Sequence, residues 1–266
     1  MEGATVSPTS PASFLPSLLG VFAHPDDEAL LAGGVLAQHA AAGAATAVVT
    51  ATWASGTHRA GELADALAIL GAGTPRLLGF ADDRIPDSAP GRPRLCEVPM
   101  DDVVKGIVEH IRAVRPQVVV THDAYGQMTG HPAHLRTHEA TVLAVHAAGL
   151  EYRYPDAGAP WRPQALYAAT HPDSGAVVLS RRLQQVGKRT LTVPDAHITA
   201  AVDVTPWLVQ KERAILAHRS EVAKERPLPG ILSRLSAAER ESIIQTEYFT
   251  RLSAGPAVTP LSALTV

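Results

Sequence analysis

The chain has 266 residues, 46% hydrophobic and 18% charged, with a formal net charge of −3 and one cysteine, Cys96. That length supports one large hydrophobic core, or a core with a small extension. A weakly negative chain with no Lys or Arg ahead of Arg59 has no basic stripe for nucleic acid, and a single cysteine excludes an internal disulfide framework and fits a reducing compartment. Residues 12–23 are apolar but short, broken by Pro16 and not preceded by a basic segment, so they read neither as a signal peptide nor as a membrane span. The expected location is the cytoplasm.

Along the chain, apolar runs alternate with stretches of helical period. Residues 17–23 (SLLGVFA) predict a buried strand and 28–43 a helix ending near Gly43. A strand over 45–52, a helix over 59–72, a strand over 76–81 and a helix over 100–115 follow. A strand over 117–121 and a helix over 131–148 complete the series. Four βα units of this kind predict an α/β fold, a parallel sheet with helices on both faces. The later third is less regular, with strands expected over 165–170 and 196–204 and a helix over 205–225. Residues 13–253 are expected to form one domain, with loose tails at 1–12 and 254–266. Loops over 82–98, 122–130, 151–164 and 224–232 carry much of the Pro and Gly; Trp161 in one of them suggests a wall around a bulky ligand, or plain local packing.

Two short stretches carry chemistry. His24-Pro25-Asp26-Asp27-Glu28 falls where the first strand ends and the next helix begins, the end of an open α/β sheet at which sites form. The three carboxylates could simply complement the helix dipole and cap its free N–H groups. However, an imidazole and a carboxylate three residues apart can also converge on one ion. Downstream of the fourth strand, His122, Asp123, His131, His134 and His138 fall within seventeen residues. With strand order 3-2-1-4, both clusters face one crevice, and two His with one carboxylate suit a divalent metal, Zn²⁺ being favoured by mixed N and O ligation. His134 and His138 are i, i+4, but HLRTH lacks the Glu of an H-E-x-x-H motif. THPDSG (170–175) repeats His-Pro-Asp without a second Asp, so His171 and Asp173 read as loop residues near the rim of the site. Gly-Ala-Gly at 71–73 follows a helix and reads as its C-terminal cap, not as a dinucleotide loop.

AHPDDE (23–28) with GHPAHLRTH (130–138) resembles the PIG-L/LmbE-like, zinc-dependent N-acetylglucosaminyl deacetylases, over about residues 17–225. The resemblance implies a Rossmann-like fold, a Zn²⁺ cofactor with Fe²⁺ as an alternative, and hydrolysis of an N-acetyl or N-acyl group from an N-acetylglucosaminyl small molecule or glycosylated metabolite. It implies His24, Asp27 and His134 as metal ligands, Asp26 as general base, and a protonated His131 facing the oxyanion. Arg59, in RAGEL, would contact the sugar; Asp82 or Asp83 would bind its hydroxyls or cap a turn. Two positions depart from the family pattern: Ala133 stands where many members carry Asp, which leaves His131 harder to charge, and Thr129 where some carry Tyr. A metal amidase cleaving a larger amide, such as a thiol conjugate, and a non-catalytic sugar-binding module are the alternatives. Neither nucleic acid nor membrane is expected as a partner; a homo-oligomer is open.

Overall fold

The computed structural model describes residues 15–254, so both expected tails lie outside the described residues apart from Ala254. The βα units stand in the expected order: β1 (Leu18–Phe22), α1 (Asp27–Ala41), β2 (Thr46–Thr52), α2 (His58–Leu70), β3 (Arg76–Phe80), α3 (Met100–Val114), β4 (Val118–His122) and α4 (Pro132–Ala147). They are followed by β5 (Ala165–Thr170), α5 (Val177–Gln185), β6 (Ala200–Asp203), α6 (Leu208–Ala217), α7 (Arg219–Val222), α8 (Leu228–Ser233), α9 (Ala237–Ile244) and β7 (Thr246–Ala254). None of the described helices is long and apolar enough to cross a membrane.

The strands form one seven-stranded sheet in the order β3-β2-β1-β4-β5-β7-β6. The first five are parallel, and β7 is antiparallel to both β5 and β6. Alternate residues of β1 feed two cores, as the pleat requires. Leu18 and Phe22 pack with residues of α1, α2 and α6, while Leu19 and Val21 pack with α3 and α4 on the other face. Because β1 lies between β2 and β4, the chain leaves it in opposite directions, and a crevice opens at its carboxyl end. This is the 3-2-1-4 order and the Rossmann-like architecture anticipated above.

α1 is kinked at Ala32 (φ −144°, ψ 16°). The freed N–H groups of Gly34 and Val35 donate to Glu247 Oε1 and Oε2 at 2.8 and 3.0 Å, and Lys211 Nζ sits 2.7 Å from Oε1. Gly34 has to be a glycine here, since a Cβ would meet the Val204 side chain at 2.3 Å.

The later third departs from expectation. The helix expected over 205–225 is a 3₁₀ turn (Thr205–Trp207), then α6, then a break at His218 (φ −78°, ψ 62°) before α7. The break turns the His218 side chain to Glu28, a contact no local pattern announces. The strand expected over 196–204 is shortened to β6, with a 3₁₀ turn at Asp195–His197. Helices α5, α8 and α9 and strand β7 were not anticipated. Trp161 proves to be packing: its Nε1–H donates to Pro116 O at 2.7 Å, ahead of β4 and at the end of the sheet away from the crevice.

Candidate metal centre

The site is built on the turn from β1 into α1. Ala23 N–H, just past the strand, donates to Nε2 of His122 at the end of β4 (2.9 Å). Asp26 then adopts φ 111°, ψ −29°, a left-handed conformation uncommon for a side-chain-bearing residue and held only by its surroundings. Its N–H donates to Glu28 Oε2 at 2.9 Å, while Glu28 Oε1 meets His218 Nε2 at 2.8 Å. The left-handed step sends adjacent carboxylates to different partners. Asp27 folds back to accept the His24 N–H through Oδ2 (2.8 Å), and Asp26 Oδ2 goes to Arg59 Nη2 (3.2 Å).

Donor atoms of three residues converge from the two clusters. His24 Nδ1 lies 3.1 Å from His134 Nε2 and 3.3 Å from Asp27 Oδ2, and His134 Nε2 lies 3.4 Å from Asp27 Oδ1. A tetrahedral metal with bonds of about 2.0–2.1 Å holds its donors roughly 3.3 Å apart, and each of these pairs stands near that spacing, Asp27 meeting the two imidazoles through different oxygens. His131 joins His24 and His134 in one group of ligating atoms within 4.8 Å, and His122 joins Asp27 and His134 in a second. However, His122 Nε2 already accepts the Ala23 N–H, and its fully buried ring stacks on His134 at 4.1 Å, so it steadies a ligand instead of acting as one.

Asp82 stands behind His24, its Oδ2 2.6 Å from Nε2 and its Oδ1 accepting the N–H groups of Arg84 and Ile85. Burial disfavours charge on His24, yet hydrogen bonds accepted by Asp27 and Asp82 and the proximity of their charges outweigh it and lift the imidazole to about 10. The surroundings that favour a proton there also favour a cation. Asp82 therefore stands against a ligand while also lining the cavity, and Asp83 faces Cys96 N and Sγ (3.2 and 3.0 Å).

His131 caps α4: its Nδ1 accepts the Ala133 N–H at 3.3 Å, which leaves its ring proton on Nε2. Burial, then His24 and Arg84, push it down to about 3. These surroundings favour the neutral ring, and the fully buried Ala133 offers no carboxylate to charge it, in line with the departure noted in the sequence.

Asp26 and Arg59 form the other half of the site. Arg59 is buried; it bridges Asp26 and Glu221 (Nη1 to Oε1 3.1 Å), donates to Pro25 O and lies over the Trp53 ring at 5.1 Å. Burial, only partly offset by Arg59, raises Asp26 to about 6. Both line a cavity of about 280 Å³ together with His24, Asp27, His131, His134 and the expected rim residue His171. His138 stays outside, its Nδ1 2.7 Å from His122 O at the end of β4. Glu28, His218 and Glu221 are the contributors that sequence reasoning left without a site role; of these only Glu28 lay inside a motif.

The family model described as GlcNAc-PI de-N-acetylase, PIG-L, matches residues 19–145. A 1D-myo-inositol 2-acetamido-2-deoxy-alpha-D-glucopyranoside deacetylase of Rhodococcus opacus (strain B4) is 40% identical over 240 residues, 77% of this chain and 81% of the relative. One of Kineococcus radiotolerans is 33% identical over 289 residues, 92% of this chain and 80% of the relative. Among solved structures, the conserved protein TT1542 from Thermus thermophilus matches with a TM-score of 0.63 at 27% identity, covering 92% of this chain and 97% of that one. The N,N'-diacetylchitobiose deacetylase from Pyrococcus horikoshii matches with a TM-score of 0.62 at 18% identity, covering 89% and 84%, a likeness of fold.

Proposed function

Since this chain belongs to the PIG-L family of de-N-acetylases, we propose that it is a metal-dependent hydrolase that removes the N-acetyl group from an N-acetylglucosaminyl small molecule. The observation that carries this reading is the convergence of His24, Asp27 and His134, drawn from segments 110 residues apart, at the spacing a tetrahedral ion needs. The curated relatives named above act on an acetamido sugar joined to an inositol. The mixed N and O donor set favours Zn²⁺, with Fe²⁺ as the alternative. Bound there, such a cation supplies Lewis acidity, making water a competent nucleophile near neutral pH and polarising an amide carbonyl.

The chain's own residues supply the rest. Asp26 is adjacent to a ligand but turned away from it, and its carboxylate, raised to about 6, is near the pKa that suits a general base at neutral pH. It takes a proton from the attacking water and is the nearest store of one for the departing amine. Arg59 fixes its position and keeps it ionised. His131, neutral with its proton on Nε2, donates a hydrogen bond to the oxygen that becomes the oxyanion; a donor of this kind is worth about 10²- to 10³-fold in rate.

The test is acetate release from a panel of N-acetylglucosaminides by zinc-loaded protein, with a chelated sample and a re-loaded one alongside. Release that stops on chelation and returns on re-loading is expected. No acetate from any member, with metal bound at one equivalent, overturns the proposal; cleavage of a bulkier N-acyl group in the same assay would then identify an amidase.

A further inference from the structure

One imidazole in the cavity takes no part in the chemistry above. His171 directly follows Thr170, the last residue of β5, and β5 lies next to β4, so it stands at the same carboxyl edge of the sheet as the metal centre. Its ring is half-buried and lines the cavity. The rings of His24, His122, His131, His134 and His218 each meet a hydrogen-bond partner within the protein. His171 meets none among the described residues: Nδ1 is enclosed and unpaired, which leaves Nε2 to the cavity. An imidazole held inside a protein without a partner is uncommon and destabilising, so it calls for a role.

The backbone around it is fixed from two sides. His171 O accepts the Val193 N–H and Asp173 N–H donates to Val193 O, both at 2.9 Å. Just upstream, Thr170 Oγ1 donates to Asp123 Oδ2 (2.7 Å) and Ala169 O accepts from Gln127 Nε2 (2.8 Å), which ties β5 to the loop that leads into His131 and His134. The ring is thereby placed relative to the metal centre before a ligand arrives, and a preorganised group loses little freedom on binding. Burial lowers it to about 4, against the pull of Asp123 and with a further push from Lys211, so it is uncharged near neutral pH. A neutral imidazole donates from one nitrogen and accepts at the other, and no protein partner fixes which is which here. Leu30, Leu31 and Leu179, which share its part of the wall, have no hydrogen-bonding side chain. A single uncharged polar atom in an apolar wall suits a hydroxyl, which can donate or accept, better than it suits a charged group.

We propose that Nε2 of His171 hydrogen-bonds one hydroxyl of the bound sugar, on a carbon other than the one that bears the acetamido group, and that His171 is thereby a specificity-determining residue. This rests on the cavity being the substrate site of the deacetylase proposed above. His171 selects for a hydroxyl at one position of the ring without touching the amide that is cut.

The test uses the zinc-loaded full chain with methyl α-N-acetylglucosaminide and its 3-, 4- and 6-deoxy analogues. The ratio kcat/KM is read from acetate release and Kd from calorimetry. In the wild type, one deoxy analogue should be weaker than the parent by about five- to tenfold, the worth of one neutral hydrogen bond. His171→Phe keeps a planar ring without nitrogens; it should lose that factor on the parent and on the other two analogues, and nothing further on the one that lacks the contact, with metal still bound at one equivalent. His171→Gln sets a polar atom near the place of Nε2 and should restore most of the discrimination, whereas His171→Asn sets one near Nδ1 and should restore little. If His171→Phe does not hold metal, the Gln and Asn variants carry the comparison, and equal discrimination by these two overturns the proposal. A loss equal for the parent and all three analogues, no loss at all, or binding of none of the four overturns it as well. Acetate release without this coupling overturns it while leaving the deacetylase reading intact. The coupling seen in Kd without acetate release does the reverse.

Discussion

Nε2 of His218 lies 2.8 Å from Oε1 of Glu28, both side chains fully buried, and this contact joins residues 190 positions apart. Through the other oxygen of Glu28 it reaches the N–H of Asp26, so the later third of the chain fixes the left-handed turn on which the adjacent carboxylates depend. Burial pushes the His218 imidazole down, but Glu28 and Asp26 outweigh it, and its pKa is raised above the ordinary 6.5. A raised value means the folded state binds the proton more tightly. The stabilisation is therefore complete below about pH 6.5 and is lost as pH climbs through the raised value. His218→Gln should cost about 3 kcal/mol at pH 6 and less at pH 9. Melting curves of both proteins across that range check it; a constant difference in Tm would show that the pair does not titrate.

Asp82 separates two roles that its sequence context leaves open. A carboxylate that binds sugar raises KM when neutralised and leaves the metal in place. One that orients His24 weakens the metal site instead, typically 10- to 100-fold. Because Oδ2 lies 2.6 Å from His24 Nε2, Asp82→Asn should lower zinc affinity by that factor and leave KM of the re-saturated enzyme within about twofold. Competition with a chromophoric chelator, alongside KM at saturating zinc, distinguishes the outcomes.

Asp26→Asn keeps the size and hydrogen bonds of the side chain but removes its ability to take a proton. A general base contributes about 10²- to 10⁴-fold, so kcat should fall by that range while metal content stays at the wild-type level. Loss of metal with the activity would instead make Asp26 part of the ion's support.

Much of this was legible in the sequence because it is local. The eight elements from β1 to α4 follow from apolar periodicity, and the strand order places their two His-Asp clusters at one crevice. What could not be read depends on contacts across the fold. His218 sits in a stretch of unbroken helical period, and only Glu28 gives a reason for the break. The low pKa of His131 comes from its burial and then from His24 and Arg84, and the orientation of Asp82 from a loop that brings it behind His24. Strand β7 (TEYFTRLSA) mixes Thr, Glu, Arg and Ser with its aromatics, so it reads as surface although it lies between β5 and β6.

Glu247, at the start of β7, explains how that polar strand is tolerated. Its two oxygens accept the N–H groups of Gly34 and Val35 at the kink in α1, and Lys211 Nζ lies 2.7 Å from Oε1, the pair being almost wholly buried. The two partners are not equivalent. In Glu247→Ala both backbone donors lose their acceptor and Lys211 is left as an uncompensated buried cation, a combination that costs about 3–5 kcal/mol. In Lys211→Met the carboxylate keeps two N–H donors, and the new side chain fills a similar apolar volume; the cost should be nearer about 1.5–3 kcal/mol, the range for a lost hydrogen bond to a charged group. The double variant no longer strands a cation, so it should be less destabilised than the sum of the singles by at least about 1 kcal/mol. Urea unfolding of the four proteins gives the cycle directly. Equal costs for the two single variants would mean that the ion pair, and not the capping of α1, is what Glu247 contributes.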